Sequence, residues 1–160
     1  MTSRQLIIAW AYFSEILLSI LLVLFLYLIT GEKTLIEFIQ KTAIDFATLY
    51  CAVVIAAAFA FLWTLYSKID SSFYVWLERE KSLDIFINAT IYVLVVQIFS
   101  VISLILCKYF PNNWLSLASC GIFFLAFINS ITIITNSVGL MKLKILYTRL
   151  TNERQTGSGR

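Results

Sequence analysis

The chain has 160 residues, 61% hydrophobic and 13% charged, with a formal net charge of +3 and a mean hydropathy of +0.90. A water-soluble domain carries nearer a quarter charged residues, so that class is excluded. There is no histidine and one proline, which removes the commonest general base and the commonest metal ligand.

The three cysteines, Cys51, Cys107 and Cys120, stand singly and read as small apolar packing residues, not as a disulfide framework or metal site. No cofactor is expected. Richness in Ile, Phe, Tyr and Asn with little Gly or Ala suits an AT-rich bacterial gene.

The first apolar run, Leu6 to Thr30, has the roughly 20 residues that a helix needs to cross a hydrocarbon core. It follows a short polar start with Arg4 and contains no small-residue cleavage site, so a retained helix is predicted over 6–30. Glu15 lies inside it. A carboxylate at that depth costs about 2.5 to 3.5 kcal/mol on insertion scales and calls for a partner, a proton or a wet cavity.

Gly31 to Thr42 reads as a loop whose Leu35, Ile36, Phe38 and Ile39 lie on the membrane interface. The second crossing is predicted over 43–66, with Asp45 at its start. Ala52, Ala56 and Ala60 form a small-residue stripe along it, suited to close helix approach within the chain or to a subunit contact.

Ser67 to Asp84 forms a second, charged loop holding Phe73, Tyr74, Trp76 and Leu77. These aromatics read either as an interfacial belt or as a docking surface for a soluble protein. A third crossing is predicted over 85–110. Pro111-Asn112-Asn113 then forces a tight turn into a fourth crossing over 114–141, making an antiparallel hairpin.

Asn129, Thr132 and Asn136 share one face of that helix by three-and-four spacing, and the face should point into the bundle. Beyond Gly139 an apolar stripe continues beside Lys142, Lys144 and Arg149, predicting a tail helix over 142–153 that lies on anionic headgroups or pairs with another helix. Residues 156–160 read as a flexible tail or an appended remnant.

Basic residues set the orientation. The N-terminus, second loop and C-terminal segment carry Arg4, Lys68, Arg79, Lys81, Lys142, Lys144, Arg149, Arg154 and Arg160, against Lys33, Lys41 and Lys108 on the other side. The positive-inside rule then puts both termini in the cytoplasm of a bacterial inner membrane.

Inside the bilayer, Glu15 lies roughly 13 Å along its helix from Leu6, Gln97 roughly 18 Å from Ile85, and Asn129 roughly 18 Å from Met141. A Glu15–Gln97–Asn129 cluster, with Thr132 and Asn136 beside it, is therefore allowed, and a protonated Glu15 would donate within it. It reads either as a structural tie between helices or as a proton or cation site, alone or in a ring around an oligomer axis. No Ser/Lys pair, paired carboxylate or metal cluster shares a depth, so no enzyme is expected.

The stretch Ala11-Tyr12-Phe13-Ser14-Glu15, a glutamate in the first of four helices, resembles the small multidrug resistance transporters, which implies proton-for-drug exchange at Glu15. This chain is longer than those transporters, lacks their glycine-rich helix faces and has an 18-residue charged loop over Ser67 to Asp84.

The four-helix plan with both termini inside, and the segments Ser67–Asp84 and Met141–Arg154, also resembles the colicin immunity proteins. It is similar as well to the membrane subunit of the Kiwa anti-phage system. The latter resemblance implies an oligomer that recruits a cytoplasmic protein. The expectation is thus an all-α, four-crossing integral membrane protein, non-enzymatic and homo-oligomeric, in contact with lipid and with a soluble cytoplasmic protein. Direct nucleic-acid binding is not expected. Asp70, Glu78, Arg79, Glu80 and Lys81 with Phe73, Tyr74 and Trp76 form the candidate partner surface; Arg149 and Arg154 are secondary.

Overall fold

Four short non-helical breaks, at Gly31 and over residues 68–71, 80–82 and 110–112, divide the chain into its helical elements. The computed structural model describes the backbone of residues 3–157 and the side chains of residues 10–153; the side chains of Arg4, Arg154 and Arg160 lie outside the described residues. Among the described residues the regular elements are all helices: α1 (Ser3–Thr30), α2 (Glu32–Asp45), a π-helical segment (Phe46–Cys51), α3 (Ala52–Ser67), α4 (Ser72–Arg79), α5 (Leu83–Tyr109) and α6 (Asn113–Gly157). Four stretches are long and apolar enough to cross a membrane: Trp10–Thr30, Glu32–Ser67, Leu83–Tyr109 and Asn113–Glu153.

Gly31 separates α1 from α2 because its φ of 79° lies in the left-handed region, which a side chain resists. Its amide still bonds the Tyr27 carbonyl and its carbonyl accepts from Leu35, so the chain turns within one residue. The loop expected over Gly31 to Thr42 is not found. The segment is helical and runs through the π-helical turn into α3, giving one helical rod from Glu32 to Ser67. The reason is packing: Leu35, Ile36, Ile39 and Ala43 recur on one face and are buried against the bundle, while Glu32, Lys33 and Lys41 face outward.

At the other hairpin, Asn112 caps α6. Its side-chain oxygen accepts from the Trp114 amide at 2.9 Å, and its carbonyl accepts from Ser116. The α6 helix then continues without interruption to Gly157, so the expected tail helix over 142–153 is the same helix as the fourth crossing, and the tail expected over 156–160 is helical through Gly157. At 1.5 Å per residue its 45 residues extend about 67 Å.

The centre of the bundle is α5, which packs on α6 most extensively and on α2, the π-helical segment, α3 and α4 as well. Two apolar cores result. One joins Ile39, Ala47, Leu104, Cys107, Cys120 and Phe123. The other joins Leu65, Phe73, Tyr74, Leu77, Leu83 and Leu140. The three cysteines are free and buried, with Cys51, Cys107 and Cys120 all in the first core.

The outermost helix is α1, held by α6 and α2. Phe13, Leu17, Leu21, Leu24 and Leu28 on it are exposed, Leu28 by 81%. That much contiguous apolar surface is what a lipid-facing helix presents. Of the two readings of the alanine stripe, packing inside the chain is not found: Ala52, Ala56 and Ala60 are exposed, and α3 turns Ala58 and Leu65 inward instead.

Candidate functional site

Small polar side chains line the seam between α5 and α6 and reach into α1, α2 and the π-helical segment. Near the turn of the hairpin, Gln40 donates to Ser116 at 2.9 Å and the Cys107 thiol donates to the same hydroxyl at 3.3 Å. One turn on, Ser119 donates to the Ser103 carbonyl at 2.9 Å. The Cys51 thiol meets Ser100 at 3.6 Å.

Deeper still, Gln97 donates to the Ala126 carbonyl at 2.9 Å and to Ser130 at 3.0 Å, and the Tyr50 hydroxyl donates to Ser130 at 2.6 Å. From Ser116 to Thr132 the seam covers about 24 Å of helix, most of a bilayer core of about 30 Å. In lipid there is little hydrophobic drive between helices, so small residues and interhelical hydrogen bonds supply the association.

The π-helical turn serves this seam. A π turn inserts an extra residue and rotates the side chains beyond it. Here it delivers Tyr50 to Ser130 and Cys51 to Ser100, while Phe46 stacks on Phe123 with ring centroids 4.4 Å apart. Ser100, Ser103, Ser116, Ser119, Ser130, Tyr50 and Cys51 were not among the residues expected here. A signal was present: Gln97, Ser100, Ser103 and Cys107 recur every three or four residues on α5, and Ser119 and Cys120 follow Ser116 by three and four residues on α6.

Of the expected cluster, Gln97 and Asn129 are both fully buried. Glu15 does not bond either of them. It is half-buried at the α1–α6 contact, where Thr132 donates to its Oε1 at 2.7 Å. Asn129 donates back to the Leu125 carbonyl of its own helix, and Asn136 is half-buried one turn beyond Thr132. Tyr12 and Tyr92 flank Glu15, their ring centroids 4.3 Å apart. Three buried oxygens, Oε2 of Glu15, Oε1 of Gln97 and Oδ1 of Asn129, accept no hydrogen bond among the described residues. Ser19, one turn along α1 from Glu15, makes a second tie by donating to the Gly121 carbonyl at 2.6 Å.

The expected aromatic docking surface needs correction. Phe73 and Tyr74 are 4% and 5% exposed, and Leu77 is 1% exposed. Helix α4 is amphipathic, and this face closes on Leu65, Leu83 and Leu140, with Phe73 and Trp76 against the Tyr147 ring at centroid distances of 5.6 and 5.4 Å. Burial raises the pKa of the Tyr74 hydroxyl above its ordinary value by desolvating the phenolate. These aromatics brace α4 against α6 and are not free to meet a protein; Trp76 is half-buried in the same contact. Asp70, Glu78, Arg79, Glu80, Lys81 and Arg149 are exposed.

The α4 brace ends in a tight cap. Ser82 donates its amide to the Leu77 carbonyl and Lys81 donates to Glu78, the paired bonds of a Schellman ending, with Lys81 at φ 53° where glycine is usual. Among the described residues no group of three His, Cys, Asp or Glu side chains is placed to hold a metal ion. No protein-family model, curated protein or solved structure matches the chain.

Proposed function

We propose that the chain spans a bacterial inner membrane four times, with both termini in the cytoplasm, and serves as a non-enzymatic, oligomeric platform that engages a soluble cytoplasmic protein. The observation that carries this reading is α6. Its 45 residues extend more than twice the roughly 30 Å of a hydrocarbon core, so about half of the helix projects beyond it. The projection is braced at its base, where Leu140, Leu143 and Tyr147 pack with α4.

A rigid stalk beside an exposed charged rim is a docking geometry. On this reading Glu78, Arg79, Glu80 and Lys81 at the end of α4, Asp70 before it, and Arg149 on α6 form the partner surface. The exposed Ala52, Ala56 and Ala60 stripe supports self-association, since small residues let helices of neighbouring copies approach closely. The likeness in plan to the Kiwa membrane subunit and to colicin immunity proteins suggests a place in anti-phage defence or immunity.

Expression with the genomic neighbours, followed by detergent extraction and native mass spectrometry, tests the reading. An oligomer carrying a soluble partner, lost on charge reversal at Arg79 and Lys81, is expected. Unchanged copurification of the partner by that variant would remove the surface. A partner-free dimer that moves ions in liposomes would favour the second reading, transport through Glu15. That alternative draws on the buried, unpartnered Oε2 of Glu15.

A further inference from the structure

Where α6 leaves the bundle, a groove of about 630 Å³ opens between it, α3 and α4. Its floor is apolar, built from Phe61 on α3 with Leu140, Met141 and Ile145 on α6. Three cations stand around it: Lys68 at the end of α3, and Lys144 and Arg149 on α6. Among the described residues no carboxylate lines it. Thr148, one turn beyond Lys144, adds a hydroxyl to the same wall.

We propose that this groove binds one anionic glycerophospholipid, its phosphodiester held by Lys68, Lys144 and Arg149 and the upper part of an acyl chain laid on the apolar floor. The proposal rests on the four-span reading. The depth is right for it: Trp63 and Tyr66 are 69% and 70% exposed on α3 between Phe61 and Lys68, the aromatic pair that marks headgroup level.

The order of chemistry matches the ligand, with Phe61 toward the bilayer and Lys68 away from it on one helix, and Met141 before Lys144 and Arg149 on the other. An arginine and two lysines complement a phosphodiester, and the apolar floor gives a soluble phosphate nothing to bind. A lipid seated there would bridge α3 and α6, and so fix the angle at which the stalk leaves the membrane.

The test uses the full chain purified in detergent. Native mass spectrometry is run during titration with phosphatidylglycerol, with phosphatidylcholine of the same acyl chains, and with inorganic phosphate. Phosphatidylglycerol should be retained about tenfold more strongly than phosphatidylcholine, as expected for several cations near one anionic headgroup. Inorganic phosphate should not displace it.

The K68E/K144E/R149E variant should bind the two lipids equally, and K33E/K41E at the opposite end should behave as the parent. If the charge-reversed protein fails to fold, the neutral K68Q/K144Q/R149Q variant gives the same reading. Equal retention of both lipids by the parent, displacement by phosphate, or undiminished selectivity in the triple variants would each overturn the proposal.

Alkaline washing of membranes separates the groove site from the four-span reading beneath it. A parent chain that stays in the membrane pellet yet shows no lipid selectivity loses the groove site and keeps the four spans. One released into the wash loses both.

Discussion

Thr132 donates its hydroxyl to Oε1 of Glu15 at 2.7 Å, joining the first helix of the chain to the last. With Ser19 donating to the Gly121 carbonyl one turn away, this is how α1, whose apolar face is otherwise exposed, is held in register. Interhelical hydrogen bonds of this kind contribute about 0.6 kcal/mol on average and up to about 1.7 in membranes. Thr132→Val should therefore lower stability by about that much. A double-mutant cycle with Glu15→Leu, read by reversible unfolding in mixed micelles, should show coupling between the two positions. Strictly additive losses would mean that the bond contributes nothing.

Gln97 is the hub of the α5–α6 seam, donating to both Ala126 and Ser130. Gln97→Leu has similar bulk but removes both donors, and it should cost about 1 to 2 kcal/mol by the ordinary worth of buried hydrogen bonds. The same change at Gln40, which is half-buried and donates to Ser116, should cost less. A Gln97→Leu protein as stable as the parent would show that the seam is held by shape alone.

How far the sequence speaks is visible in these two cases. Four long apolar runs were legible, because crossing a membrane demands a length and composition that little else imitates. The polar face of α6 was also legible, and Asn129 and Thr132 do point into contacts. What could not be read was which helix supplies each partner. Residue counts along the helices allow Glu15, Gln97 and Asn129 at one level, but level leaves rotation undetermined, and rotation gave Glu15 to Thr132 and Gln97 to Ser130. The aromatics of α4 were ambiguous for a similar reason. A short amphipathic stretch looks the same whether it covers lipid, meets a protein or closes on Leu140 and Tyr147 of its own chain. The helicity of Glu32 to Thr42 could have been found, since Leu35, Ile36, Ile39 and Ala43 keep a helical period that its charged neighbours obscure.

Lys81 holds a left-handed conformation at the cap of α4. Lys81→Gly should relieve the strain of a side chain there and stabilise the α4 brace by up to about 1 kcal/mol. Hydrogen exchange at Ser82, whose amide bonds Leu77, should slow. Faster exchange would show that the lysine side chain contributes more than its backbone strain costs.

The raised pKa of Tyr74 has a pH consequence with a definite sign. The unfolded tyrosine loses its proton first, near pH 10. The contribution of the neutral, buried hydroxyl is therefore full below that pH and is lost as pH rises toward the higher folded value. The α4–α6 contact should loosen in alkali, seen as faster proteolysis of the segment between α3 and α5. Tyr74→Phe should remove that pH dependence; an unchanged alkaline profile would assign it to another group.

The stalk itself can be interrupted at Gly139. A Cβ built there meets nothing within 4 Å, so Gly139→Ala should fit and stabilise α6 by up to about 1 kcal/mol through helix propensity alone. Gly139→Pro removes a backbone donor and crowds the preceding turn, costing about 3 kcal/mol or more in a helix interior. It does so just before Leu140, where α6 begins its contact with α4. On the platform reading the proline variant should remain in the membrane fraction, because the apolar runs are intact, but lose the proposed cytoplasmic partner, because the projection no longer continues the axis of the bundle. The alanine variant should keep both. If the proline variant captures the partner as well as the alanine variant does, docking does not depend on a rigid α6, and the platform would have to work through the charged end of α4 alone.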